Sequence, residues 1–105
     1  MAKIKPGAFL INTARGACVD EHALVESLKS GHLKGASLDV YETEPTIDPE
    51  LIGMENVILT PHIASSTLEA REKMGELAIN ALLDFFAHKQ PQNLVNKEVW
   101  EKRRK

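Results

Sequence analysis

Three short runs rich in apolar residues limit what this chain can fold into. They are Ala8-Phe-Leu-Ile-Asn-Thr13, Ala36-Ser-Leu-Asp-Val40 inside a segment running from Lys34 to Val40, and Asn56-Val-Ile-Leu-Thr60. The first is continuous rather than alternating, which predicts a strand with apolar material against both faces, as in a parallel sheet, and the other two read as further strands. Pro6-Gly7 introduces the first run and Pro61 stops the third. Parallel neighbours cannot be joined by a hairpin and need a crossover, usually a helix. The sequence supplies one between the first two runs. Asp20 stands as its N-cap, Val19 and Leu24 take the two positions of a hydrophobic staple, and the pattern runs through Leu28 to a natural C′ residue at Gly31.

A loop with Pro45 and Pro49 follows the second run, with one helical turn predicted around Pro49 to Gly53. After the third run, Ser66 and Glu69 have capping-box spacing. Met74, Leu77, Ala78, Ala81, Leu82 and Phe85 then recur at helical spacing, which predicts a long amphipathic helix. His88 and Lys89 suit its C-terminal end, and Pro91 prevents extension. The order is strand, helix, strand, strand, long helix. That is part of a doubly wound α/β fold, whose first βαβ unit is expected to be right-handed.

With 105 residues the chain is one domain or part of one. A net charge of −2 argues against nucleic acid as the partner. The charge is uneven, because Lys97 to Lys105 hold five cations and two anions. This stretch is expected to be a solvated, partly frayed basic tail on a domain spanning residues 1–96. Cys18 is the only cysteine, so no intrachain disulfide exists, which fits a reducing cytoplasm. Beside Val19 it is expected to be a small packed hydrophobe. No apolar run approaches the roughly 20 residues that cross a bilayer, and no signal peptide opens the chain, so the expected location is cytoplasmic without a membrane partner.

In open α/β sheets, ligands bind beyond the carboxyl ends of the strands. After the first run come Thr13-Ala14-Arg15-Gly16; at the end of the second, Asp39 with Glu42 and Glu44; after the third, Pro61-His62 and Ala64-Ser65-Ser66. Each has a plain alternative. Arg15 could cap a loop, Glu42 is expected in solvent, and His62 could be a hydrogen-bonded structural histidine. Asp39 is harder to dismiss, since an unpaired buried carboxylate is costly. His22 and His88 on helices and His32 near a helix end are assigned to structure or solvent. Arg15, Glu44 and His62 stand apart because all three fall at equivalent strand ends. Their chemistry is also complementary. A guanidinium is the two-pronged partner of a carboxylate, an imidazole transfers protons near neutrality, and a carboxylate beside the imidazole orients it and favours its protonated form. That set matches reduction of a 2-oxo acid. No cluster suggests a metal.

Around these residues the sequence resembles the D-isomer-specific 2-hydroxyacid dehydrogenases, which include glyoxylate/hydroxypyruvate reductases and phosphoglycerate dehydrogenases. The resemblance rests on Lys5 to Gly16, Gly35 to Pro45 and Asn56 to Ser66, three motifs in order, and covers about Met1 to Asn96. It implies the C-terminal half of a Rossmann-like, NAD(P)-binding domain followed by a long helix. It also implies that Arg15 binds the substrate carboxylate and keto oxygen, that His62 is the general acid, and that Glu44 is its partner. Asp39 would contact the nicotinamide carboxamide, and Thr13, Ala14 and the backbone from His62 through Ile63 to Ala64 would line the nicotinamide side of the pocket. Related formate dehydrogenases, which need no proton transfer, carry glutamine at the position of Glu44, so the resemblance favours a small 2-hydroxy or 2-oxo acid. Some relatives of the fold are nucleotide-sensing corepressors, which leaves a non-catalytic sensing or assembly module as the alternative.

The family's Gly-x-Gly-x-x-Gly turn, whose amides receive the pyrophosphate, is missing: the glycines are 7, 16, 31, 35, 53 and 75, and no two lie two apart. Met1-Ala-Lys-Ile-Lys resembles the end of a helix that precedes the first strand. The chain is therefore expected to be a C-terminal segment of a longer enzyme, inactive alone. Its exposed apolar edge is expected to pair with another copy or with the rest of the enzyme.

Overall fold

The structure, a computed structural model, describes residues 1–103; Arg104 and Lys105 of the basic tail lie outside the described residues. The chain divides into two compact units, Met1–Ala64 and Ser65–Lys105. In the first, β1 (Ala8–Asn12), α1 (Glu21–Lys29), β2 (Leu33–Leu38), α2 (Pro49–Ile52) and β3 (Val57–Leu59) follow one another. The sheet has the order β1-β2-β3, and both pairings are parallel. Asn12 pairs with Leu38, and Leu38 with Leu59, so the three carboxyl ends lie side by side. The predicted bounds contract slightly, since the hydrogen-bonded part of β2 ends before Asp39 and Val40.

The crossover helix forms where its caps require. The Asp20 side chain accepts from the Ala23 N–H at 2.9 Å, Lys29 closes the last turn, and Gly31 follows with a φ of 74°. Substituting such an N-cap by Ala costs about 1 kcal/mol. Leu24, Val25 and Leu28 of α1 are buried with Leu33, Ala36 and Leu38 of β2, joined by Tyr41 and Leu51. Val19 packs against this cluster, as the staple requires. Each buried leucine contributes about 1.5–3 kcal/mol, which makes this the unit's core.

The other sheet face is bare, contrary to the expectation of two covered faces. Phe9, Ile11 and Ile58 are 65%, 71% and 65% exposed. A continuous apolar run records that both faces are apolar, not that both are covered. Cys18 is exposed in a 3-10 turn (Gly16–Cys18) rather than packed. The opening residues form turns instead of a helix end, and His32 Nε2 lies 2.8 Å from the Ile4 carbonyl, a structural role as expected.

In the second unit α3 spans Leu68–Phe86. Its N-cap is Thr67, not Ser66: the threonine hydroxyl accepts from the Ala70 N–H at 3.2 Å, while Ser66 Oγ accepts from Arg71 at 3.0 Å. Two adjacent hydroxyl residues both satisfy the capping pattern, and the backbone selects the second. His88 lies beyond the helix end with a φ of 59°, and none of α3's residues is buried. The tail is not featureless, because Lys97–Val99 forms a 3-10 turn and Arg103 stacks over the Trp100 ring at 3.4 Å from its centroid.

Candidate active site

Three turns leave the carboxyl rim of the sheet, and each is fixed by hydrogen bonds from buried polar residues. Asn12 is the buried last residue of β1. Its side-chain amide donates to the Arg15 carbonyl at 2.9 Å, and its Oδ1 accepts from the Ala14 N–H at 3.1 Å. This folds Thr13–Arg15 back over the strand end and leaves the Arg15 side chain exposed, its guanidinium donating to the Ala14 carbonyl at 2.6 Å. Gly16 must follow, since a Cβ there would lie 1.9 Å from the Tyr41 carbonyl oxygen.

The second turn carries Asp39, Tyr41 and Glu44. Asp39 is buried, yet its charge is well compensated. Oδ1 accepts from the Thr60 hydroxyl at 2.5 Å and the Ile63 N–H at 2.8 Å, and Oδ2 accepts from the Ala64 N–H at 2.8 Å. The Thr60 hydroxyl chiefly, then the two amides, hold its carboxyl below the ordinary aspartate range against the opposing effect of burial. These bonds clamp the third turn, in which His62 takes a left-handed φ of 56°. A non-glycine residue there costs about 1–2 kcal/mol, which the clamp offsets.

Glu44 and His62 meet across the second and third turns. Glu44 Oε2 lies 3.0 Å from His62 Nδ1, while Oε1 accepts from the Tyr41 N–H at 3.1 Å. The His62 hydrogen bond first, then the Tyr41 amide and the nearby charges of His62 and Arg15, hold Glu44 below the usual carboxylate range. His62 Nε2 has no hydrogen-bond partner among the described residues. A cavity of about 170 Å³, lined by Tyr41, Glu44, Pro45, Ile47, Pro61 and His62, adjoins the pair. Glu42 is exposed at its side chain, and its N–H donates to the buried Glu21 carboxylate at 2.8 Å.

The structure thus joins Glu44 to His62 and places Arg15 on the same rim. Thr13 is exposed there, and Ala14 spends its N–H on Asn12. Ile63 and Ala64 spend theirs on Asp39. Sequence reasoning missed Asn12, Gly16, Glu21, Tyr41 and Thr60. Asn12 was open to the argument used for Asp39, a polar residue closing an apolar strand, whereas Gly16 and Tyr41 depend on contacts between turns that no local pattern announces. Among the described residues no group of acids, histidines or cysteine could hold a metal ion, and no helix is long and apolar enough to cross a membrane.

A parallel α/β sheet of Rossmann type, with a paired imidazole and carboxylate beside an arginine on its carboxyl rim, defines a dehydrogenase-like domain. Residues 1–64 match the family model described as D-isomer specific 2-hydroxyacid dehydrogenase, NAD binding domain, and the chain belongs to that family. It is 53% identical over 96 residues to a glyoxylate reductase of Thermococcus litoralis, a match covering 91% of this chain and 29% of that protein. The structure resembles a glyoxylate reductase from Paecilomyes thermophila with a TM-score of 0.82 and 39% identity, covering 92% of this chain and 30% of that one. It also resembles an NADPH-dependent glyoxylate/hydroxypyruvate reductase from Sinorhizobium meliloti in complex with NADP and malonate. There the TM-score is 0.68 and the identity 43%, over 77% of this chain and 25% of that one. The chain therefore spans less than a third of the length of the relatives it matches.

Proposed function

We propose that this chain supplies the substrate-binding cation and the proton-transfer pair of an NAD(P)-dependent oxidoreductase acting between small 2-oxo acids and D-2-hydroxy acids. The observation that carries the reading is the 3.0 Å contact between His62 Nδ1 and Glu44 on the rim that also bears Arg15. With Nδ1 donating to the carboxylate, Nε2 is the atom left to face a substrate. In reduction, Nε2 donates its proton to the keto oxygen as that oxygen takes up the carbonyl electron pair, leaving a hydroxyl at C2. Glu44 balances the imidazolium before the transfer and keeps the ring oriented. Arg15 grips the carboxylate beside the ketone, its charge and planarity suited to two parallel hydrogen bonds. In the oxidative direction His62 takes the hydroxyl proton back.

When bound, a reduced nicotinamide supplies the hydride that C2 accepts. The residues here fit that end of the dinucleotide: Asp39 keeps acceptor capacity on Oδ2 beyond its bond to Ala64, and Thr13, Ala14, Arg15, His62, Ile63 and Ala64 lie on the same rim. With the amides of Ile63 and Ala64 engaged, their carbonyls are the groups that would meet it. The chain has no glycine turn for a pyrophosphate. This predicts that calorimetry with NADH detects no appreciable binding to the isolated chain, and that its activity requires the rest of a complete enzyme. A cytoplasmic location accompanies this reading.

The test replaces the matching segment of the Thermococcus litoralis reductase with this chain and follows nicotinamide oxidation by glyoxylate. The chimera is expected to turn over. His62→Ala should lower kcat about 10²–10⁴-fold, the range for a lost general acid, and Arg15→Ala should chiefly raise KM. Glu44→Gln should move the alkaline limb of reduction to lower pH, because the imidazolium loses its balancing charge. A folded chimera whose turnover survives His62→Ala would refute the proposal.

A further inference from the structure

Tyr41 is the one residue outside the Glu44–His62 pair that bonds both to Glu44 and to the turn carrying His62, among the described residues. Its N–H donates to Glu44 Oε1 at 3.1 Å. Its ring is buried in the core cluster, and its hydroxyl crosses to the third turn, donating to the Thr60 carbonyl at 2.7 Å with the Leu38 carbonyl at 3.2 Å as the weaker branch. A buried phenol spends its single proton where it fixes geometry, since an unmade bond there is costly. The Thr60 carbonyl lies two residues before His62. Asp39 holds the Thr60 hydroxyl and, through Ile63 and Ala64, the far side of the turn, so the Tyr41 hydroxyl adds a bond to the Thr60 carbonyl, which Asp39 does not engage. The Tyr41 carbonyl in turn abuts Gly16, directly after Arg15.

We infer that Tyr41 is a positioning residue of the proton-transfer pair: its main chain sets the Glu44 carboxylate, and its hydroxyl, beside the Asp39 clamp, holds the turn that presents His62 to it. The hydroxyl, not only the aromatic ring, is required. Tyrosine and phenylalanine fill the same space in the core, and only tyrosine adds a side-chain bond to the Thr60 carbonyl beside those that Asp39 makes. The inference rests on His62 being the proton-transferring group, so its test reads the pair itself rather than turnover.

Long-range proton–nitrogen correlation spectra of the ¹⁵N-labelled chain report which ring nitrogen of neutral His62 carries the proton. The unmutated chain is expected to hold the Nδ1–H form, donating to Glu44, and Glu44→Gln to remove that bias. Tyr41→Phe should lower the ratio of the Nδ1–H to the Nε2–H form at least about twofold, toward that of a free imidazole, while the Leu24 and Leu38 methyl signals stay dispersed. A folded Tyr41→Phe variant with the unmutated ratio overturns the inference and leaves the proposed function standing. Absence of any bias in the unmutated chain removes the pair, and with it both readings. The Tyr41 hydroxyl proton of the unmutated chain gives a second measurement that does not depend on the variant folding. Slow exchange with water supports the strut, and exchange as fast as that of a solvent-exposed tyrosine overturns it.

Discussion

Asp39 directly follows β2, yet every short hydrogen bond of its carboxylate goes to the turn after the neighbouring strand. Thr60, Ile63 and Ala64 between them supply three donors. The side chain therefore helps fix where His62 sits, whatever else it contacts. Its depressed carboxyl gives the clamp a pH signature of definite sign. The unfolded chain holds the proton up to about pH 4, and the folded turn releases it lower. The stabilisation is thus complete above the unfolded value and is lost as pH falls through the lowered folded one. Amide exchange should show Ile63 and Ala64 protected near neutrality and unprotected in Asp39→Ala, with a thermal midpoint lower by several degrees. Equal protection in the two proteins would mean that the amides are held by something else. Asp39 was legible in the sequence as a carboxylate too costly to bury alone. Its partners were not, because they lie more than twenty positions away and are brought near only by the parallel register of β2 and β3.

Among the elements, the turn after β1 and the long helix α3 respond oppositely to the same change. Gly16→Ala would set a methyl carbon against the Tyr41 peptide, 1.9 Å from its oxygen, and main chain on both sides leaves no side chain to swing away. Overpacking of this kind costs about 1–3 kcal/mol, and each kcal/mol lowers the melting temperature of a domain this size by roughly 4–8 °C. Gly75 lies within α3 with nothing within 4 Å of an added Cβ. Replacing it by Ala should raise helix stability by about 1 kcal/mol. Thermal unfolding followed by circular dichroism separates the two, and a Gly16→Ala melt matching the parent would show that the turn yields. Element identity was readable because strand, crossover and cap each leave local marks, as at Asp20 and Gly31. The cap of α3 slipped by one residue because Ser66 and Thr67 have the same chemistry. The burial of β1 was misjudged because apolar character at Phe9 and Ile11 does not say what lies against them.

At the scale of the whole molecule, the exposed apolar sheet face and the outer side of β1 are expected to govern behaviour in solution. Phe9, Ile11 and Ile58 form an apolar surface beside a strand edge with free backbone groups, the arrangement that sheet proteins ordinarily protect. The isolated chain is expected to self-associate, with its sedimentation coefficient rising with concentration. Ile11→Lys, which puts a charge on that face, should shift it toward monomer. A parent chain that stays monomeric at every concentration would refute the expectation. The parallel sheet has a further consequence. Because all three strands run the same way, Arg15, Glu44 and His62 reach one rim in chain order, within one uninterrupted stretch of a compact unit. The proposed acid–base equipment could therefore be inherited or exchanged as a single genetic cassette, and recombination on either side of it is expected to leave its internal geometry intact.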